Sequence, residues 1–248
     1  MSSSSLVALV TGAGSGIGRA TAIALAHAGH HVVCADIKGA EATAEGLVAD
    51  GFSSSGHSLD VRDSAAWEAL VAQLVSANGG IDVLANVAGV VSATGIDTVI
   101  DQTEAEWQRI IDVDLKGVWL GMRAVMPQMI SRGGGRIVNV ASLAGLIGIA
   151  NLVTYSAAKA GVIGLSRQAA IEYADKGINI NVICPGIIDT PILGDITAEM
   201  RSANAAATPL GRLGRPEDIA ASIVHFAGPG GAFITGQVLA VDGGWAAQ

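Results

Sequence analysis

Cysteine, aromatic residues and charge are all scarce in this chain: two cysteines, 4% aromatics and 15% charged residues in 248. Cys34 and Cys184 each fall inside an apolar, strand-like run, so they read as buried free thiols rather than a disulfide, which fits a reducing cytoplasm. Lys and Arg total 14 against 22 Asp and Glu, a net charge of −8 that argues against nucleic acid or an anionic membrane as partner. No uninterrupted apolar stretch approaches the ~20 residues of a membrane span. Met1 to Ser5 is a polar tail without Lys or Arg, and the apolar run behind it, Leu6 to Val10, is too short for a signal-peptide core. His27, His30, His31, His57 and His225 show no metal-ligand spacing, so no metal is expected. Trp67, Trp107 and Trp119 recur within helical segments and read as packing residues.

What the chain has is apolar residues, 50% of the total, and 33 glycines, a globular composition with a sizeable core. Short apolar runs alternate with helical patterns from one end to the other. Strand-like runs are Val7 to Val10, His31 to Ala35, Gly56 to Val61 (ending around Asp60), Ile81 to Ala85, Arg136 to Val140, Ile178 to Cys184 and Gln237 to Val241. Between them, helices are expected at Arg19 to Ala28, Ala40 to Asp50, Ser64 to Ala77 (Ser64 as N-cap), Thr103 to Ile130, Thr154 to Tyr173 and Pro216 to Phe226. Thr103 and Glu106 have the form of a capping box, and Pro127 is placed to bend the long helix. Strands that are continuously apolar and separated by helices predict a parallel sheet covered on both faces, a doubly wound α/β fold. No linker or composition shift divides the chain, so residues 1–248 are read as one domain.

Three features carry chemistry. Thr11-Gly-Ala-Gly-Ser-Gly-Ile-Gly18 lies between the first strand and the first helix, where glycines let backbone N–H groups approach a pyrophosphate. The glycines stand at Gly12, Gly16 and Gly18, not in the Gly-x-Gly-x-x-Gly register, with Ser15 and Ile17 between them. Asp36 closes the second strand, where a carboxylate accepts hydrogen bonds from both hydroxyls of an adenine ribose and repels a 2′-phosphate, favouring NAD over NADP. Lys38 is the one nearby cation and points either way. Tyr155 and Lys159 are four apart on a helix, so they stack on one face. A lysine ammonium pulls the tyrosine pKa down from its ordinary ~10, but a shift towards ~7 requires about 4 kcal/mol, more than one partly exposed lysine supplies. A second positive charge such as an oxidised nicotinamide ring would add to it.

Taken with Asp60-Val61, Asn86-x-Ala88-Gly89, Ser142 and Pro185-Gly186 with Thr190, these motifs resemble the set of the short-chain dehydrogenase/reductase family, in order and spacing from Val7 to Gly244. The resemblance implies a nicotinamide-dependent oxidoreductase in which Tyr155 is the general acid/base, Ser142 holds the substrate oxygen, and Lys159 binds the ribose and lowers the Tyr155 pKa. It also implies that Asp60 and Val61 flank the adenine, that Asn86 sits near the cofactor and steadies the sheet, and that Ile188 and Thr190 touch the nicotinamide end. Gly12, Ser15, Gly16, Ile17, Gly18, Ala88, Gly89, Tyr155, Pro185 and Gly186 complete the expected cofactor contacts. One position departs from the pattern. Where members commonly carry asparagine in Asn-Leu-x-Gly, supporting a proton relay behind the lysine, this chain has Asp114-Leu-Lys-Gly117. An ionised aspartate only accepts hydrogen bonds, and its charge steadies Lys159 while opposing a tyrosinate.

Residues Asp189 to Arg212 leave the sheet after the Pro185-Gly186 break and are expected to form a loop covering the substrate. The side chains expected around the substrate are Leu143, Leu146, Ile147, Ile192 and Leu193, with Asp195 as the main charge, which points to a neutral, mostly apolar secondary alcohol or ketone. A reductase of 3-ketoacyl thioesters is the alternative, against which Asp36 and the acidic net charge count; an idle NAD-binding sensor or scaffold is a third reading, opposed by the intact Ser142, Tyr155 and Lys159. Apolar residues around the two long helices, among them Val118, Leu120, Val162, Ile163 and Leu165, together with the family resemblance, lead to the expectation of a homotetramer.

Overall fold

The computed structural model describes residues 5–194 and 196–248. Seven strands form one parallel sheet: β1 (Val7–Thr11), β2 (His31–Asp36), β3 (Ser54–Ser58), β4 (Val83–Asn86), β5 (Gly135–Val140), β6 (Ile178–Pro185) and β7 (Val238–Val241). Their order is β3-β2-β1-β4-β5-β6-β7, every pair parallel. This is the expected doubly wound fold. The chain winds outward in one direction from β1 and in the other from β4, so a crevice opens at their carboxyl ends.

The inner strands β1 and β4 are buried along their whole length, because helices cover both faces. Alternate residues of β1 serve opposite faces. Val7 and Leu9 pack with Trp67, Leu74, Val125 and Val162, whereas Ala8 and Val10 pack with Leu25, Leu47, Ile223 and Phe226. The first face carries α3 (Ser64–Asn78), α5 (Gly117–Ser131) and α6 (Val153–Glu172), with α4 (Glu104–Ile111) packed against α6. The second carries α1 (Gly16–His27), α2 (Ala40–Ala49) and α8 (Pro216–Ala227).

Several boundaries differ from the sequence expectation. β3 is the polar segment Ser54–Ser58, not Gly56–Val61; it lies at the sheet edge, where one side needs no apolar cover, while Leu59 and Val61 are buried in the turn that follows. The cap of α3 is Asp63, which accepts from the Ala65 and Ala66 N–H groups, rather than Ser64. At α4, Thr103 caps as expected by accepting from the Glu106 N–H, but the Glu106 carboxylate turns to Arg109 and the Ala93 N–H and leaves the capping box half made. The long helix is interrupted by a π-helical turn, Asp112–Lys116, and then runs on through Pro127 to Ser131. The expected loop 189–212 contains a 3₁₀ turn, Pro191–Leu193, and a helix α7 (Ala198–Ala207); Asp195 lies outside the described residues. Trp67 is a core residue, its indole donating to the Val61 carbonyl, but Trp107 and Trp119 are exposed. Val118, Leu120, Val162 and Ile163, expected to offer an association face, are instead buried within the chain.

Candidate active site

A cleft of about 590 Å³ opens at the carboxyl ends of β1, β2 and β4. Its floor is the turn between β1 and α1, where Gly12 (φ 69°) and Gly16 (φ 50°) hold backbone conformations that side chains disfavour. A Cβ on Gly18 would fall on the Gly12 carbonyl oxygen, so the third glycine is fixed by contact. The first N–H groups of α1, from Gly16 onwards, have no partner within the helix and stand at its positive end. Thr11 fastens this turn to the end of β4, its Oγ1 accepting from the N–H groups of Val87 and Ala88 at 3.0 and 3.2 Å. Asp36 lines the cleft, its carboxylate accepting from the Gly14 N–H at 3.0 Å and the Lys38 N–H at 3.2 Å.

Of the expected cofactor residues, Gly12, Ser15, Gly16, Ile17, Gly18, Asp36, Asp60, Val61, Ala88, Gly89 and Thr190 line this cleft. Asn86, Tyr155, Lys159, Pro185, Gly186 and Ile188 do not. Asn86 points into the sheet, donating to Asn139 Oδ1 at 2.9 Å, and Asn139 in turn donates to Ser166. Pro185 is buried at the end of β6, while Gly186 and Ile188 line a separate cavity of about 480 Å³ beside Arg212 and Asp242. Arg62 and Arg109 also line the main cleft, paired with Asp60 at 2.6 Å and Glu106 at 2.7 Å. The Glu106–Arg109 spacing of three on a helix was the available signal for the second.

Beyond the cleft lies a corner built from α6, the π turn and the ends of β5 and β6. Lys159 is 2% exposed, not partly exposed as the sequence reading had it. Its Nζ donates to the Val140 carbonyl and stands 3.2 Å from Asp114 Oδ2, which makes no hydrogen bond of regular geometry, so the contact is charge against charge. Asp114 Oδ1 accepts from the Val90 N–H at 2.8 Å. The extra residue in the π turn directs Asp114 inward, and such turns recur at functional sites. Tyr155 is half-buried, its ring centroid 5.5 Å from Lys159 Nζ. Ser142 caps a short 3₁₀ turn by accepting from the Ala144 N–H at 3.1 Å, and its hydroxyl stands against the Tyr155 phenol, where its hydrogen bond favours the ionised form. Leu146, Ile149 and Ile192 are exposed, whereas Leu143, expected beside the substrate, is 2% exposed in the core.

A family model described as enoyl-(acyl carrier protein) reductase matches residues 12–246. Cis-4-hydroxycyclohexanecarboxylate dehydrogenase of Sinomonas cyclohexanicum is 42% identical over 242 residues, 97% of this chain and 96% of that one. Cyclohexanol dehydrogenase of an Acinetobacter species (strain SE19) is 40% identical over 245 residues, 98% and 95% of the two chains. The chain belongs to the short-chain dehydrogenase/reductase family. Among solved structures of this kind, an actinorhodin polyketide ketoreductase variant with NADPH superposes with a TM-score of 0.92 at 35% identity over 100% of both chains.

The electrostatics of this short-chain dehydrogenase/reductase correct one expectation. Tyr155 has its pKa raised: burial is the largest cause, Lys159 pulls the other way, and the Asp114 charge adds to the rise. The lysine acts in the expected sense but is outweighed. Burial also pushes the Asp114 carboxyl up, against the pull of Lys159 and the Val90 N–H. Burial works against the Lys159 ammonium too, but Asp114 and Tyr155 overcome it and its pKa ends up raised. At neutral pH the corner therefore holds a phenol with a proton to give. Cys184, raised to about 11 mainly by burial, stays a neutral thiol beside it. Sequence reasoning did not find Asp97, a buried carboxylate at the start of α6.

Proposed function

We propose that this chain interconverts a neutral, mostly apolar secondary alcohol and its ketone with NAD(H), and that Ser142, Tyr155 and Lys159 carry the chemistry. The observation that carries this reading is the corner itself: a half-buried phenol one helical turn from a buried ammonium, with a serine hydroxyl hydrogen-bonded beside it, at the same carboxyl-end side of the sheet as the glycine cleft. The cleft fits a dinucleotide. Its glycine turn leaves no room for side chains, and unpaired N–H groups face the position of an anion. Gly12, Ser15, Gly16, Ile17 and Gly18 would hold the pyrophosphate, Asp36 the adenine ribose, Asp60 and Val61 the adenine, and Thr190 the far end. Asp36 in the cleft, with the apolar Ile37 next to it 72% exposed, supports NAD over NADP.

When bound, the nicotinamide supplies or accepts the hydride. Ser142 donates its O–H to the substrate oxygen, and Tyr155 gives its proton to that oxygen in reduction or takes it in oxidation. Lys159 stabilises the phenolate so formed, while Asp114 and the Val140 carbonyl fix the lysine in place. The raised Tyr155 pKa suits the proton-giving direction. In the oxidising direction the positive charge of NAD+ adds to that of Lys159.

The apolar side chains of Leu146, Ile149 and Ile192 support an apolar substrate; cyclohexanol, named for one relative, is of that kind, whereas the hydroxycyclohexanecarboxylate named for the other adds a charge to the same ring. Residues 189–212, with α7, would cover it, the whole chain acting as one unit. Reduction of 3-ketoacyl thioesters is the second reading, supported by the description of the family model and by the polyketide ketoreductase likeness. A homotetramer is supported by the exposed Trp107, Trp119 and Ile171 on α4, α5 and α6, and a cytoplasmic location by the two buried free thiols. The deciding measurement is NADH formation against a panel of secondary alcohols at pH about 9, with NADP+ and Tyr155→Phe in parallel. Turnover with NAD+ that vanishes in the variant supports the reading; cofactor binding without turnover across the panel overturns it.

A further inference from the structure

Helix α6, which carries Tyr155 and Lys159, begins without a cap of its own, since Leu152 before it has no side chain able to accept. Its first N–H groups are instead caught by a residue from the segment between β4 and α4. The Asp97 carbonyl accepts from the Val153 N–H at 3.0 Å. Asp97 Oδ1 accepts from the Thr154 N–H at 2.9 Å, from the Thr154 hydroxyl at 2.6 Å and from Gln102 Nε2 at 2.8 Å. Asp97 Oδ2 accepts from the N–H of Tyr155 itself at 3.2 Å. The carboxylate is 1% exposed and makes no ion pair among the described residues. Its charge is met by four hydrogen-bond donors and by the positive end of a twenty-residue helix.

We propose that Asp97 is a positioning residue for the reaction: it fixes the first turn of α6, and so the Tyr155 phenol, relative to the segment that walls the substrate side. That segment is tied at two points. Val90 is held by Asp114 and residue 97 by α6, so the loop and the catalytic helix are set by the same buried carboxylates. The proposal rests on Tyr155 as the acid/base. A misplacement of the order of 1 Å at a reacting group can cost up to about a hundredfold in rate without touching the chemistry itself.

Asp97→Asn is the discriminating variant. An amide keeps one accepting oxygen and turns an –NH2 towards either the Tyr155 N–H or the three donors on Oδ1, so the cap is weakened where it meets the catalytic turn. The expected result is a fall in kcat of about tenfold, with NADH affinity by fluorescence titration and the thermal midpoint little changed. Thr154→Val, which removes the 2.6 Å hydroxyl contact to Asp97 and the 3.1 Å contact the same hydroxyl accepts from Gln102 Nε2 but leaves both backbone N–H contacts, lowers kcat in the same direction by less. A kcat for Asp97→Asn within about twofold of the parent, with Tyr155→Phe inactive, overturns the proposal alone. So does a loss of activity that only follows a loss of cofactor affinity or of folded protein. Activity retained by Tyr155→Phe overturns the acid/base reading and the proposal with it.

Discussion

The glycine cleft and the Tyr155 corner sit at the same carboxyl-end side of the same sheet and are made of different material. The floor of the cleft is backbone: glycines at positive φ and N–H groups at a helix start, with Asp36 held by two more N–H groups and, at the wall, Asp60 paired with Arg62. The corner is side chain, and its charges are buried. Asp114 and Asp97 both lie there at 0% and 1% exposure, but one is balanced by an ammonium and the other by N–H and O–H donors alone. An open backbone site tolerates change in its surroundings and fails only when the backbone loses its shape. A buried charged site transmits each change to its neighbours, because the low-dielectric interior leaves their fields unscreened.

The comparison can be broken from either side. The largest effect is expected for Tyr155→Phe, which removes the transferable proton and lowers kcat by roughly a thousandfold or more while NADH still binds, read by steady-state rates and fluorescence titration. Retained turnover would place the acid/base elsewhere. Next comes Gly18→Ala. Its Cβ meets the Gly12 carbonyl oxygen, so the turn must open, and NADH affinity should fall by more than about tenfold with the fold intact by circular dichroism. Unchanged affinity would mean that the phosphates do not sit on this turn. Asp36→Ala is milder: the preference for NAD+ over NADP+ in kcat/KM should shrink by about tenfold as the carboxylate's ribose contacts and its repulsion of a 2′-phosphate are lost together.

The smallest and most informative change is Asp114→Asn. The aspartate charge raises the Tyr155 pKa and so favours the phenol. Neutralising it leaves Lys159 uncompensated, which favours the phenolate, so the acid limb of kcat/KM for alcohol oxidation should move to lower pH. The Val90 contact survives, because an asparagine oxygen accepts as well as a carboxylate oxygen does. A pH profile that stays put or moves to higher pH would show that Asp114 does not set the charge felt by the phenol.

Much of this was legible in the chain. The sheet, its parallel sense and most of its strands followed from short apolar runs, because inner strands covered on both faces must be apolar throughout. β3 was misplaced for the converse reason: at an edge, Ser54 to Ser58 needs no such run. Tyr155 and Lys159 were found through helical spacing, a local rule, and the glycine turn and Asp36 through their place after consecutive strands. Asn86, Pro185, Gly186 and Ile188 were carried by resemblance, and their distance from the cleft depends on which way each strand end turns.

By itself, then, the sequence determined the layered fold, the glycine turn after the first strand and the pairing of a phenol with an ammonium, because periodicity and neighbouring residues govern all three. Only the tertiary structure decided how those charges are balanced. It put a π turn where a plain helix was expected, buried Asp114 against Lys159, and brought Asp97 to the start of a helix that begins 56 residues later. No local pattern encodes such a contact: it exists because the sheet brings the end of β4 beside that of β5, and the unpaired N–H groups of a buried helix start require an acceptor from whatever segment lies there.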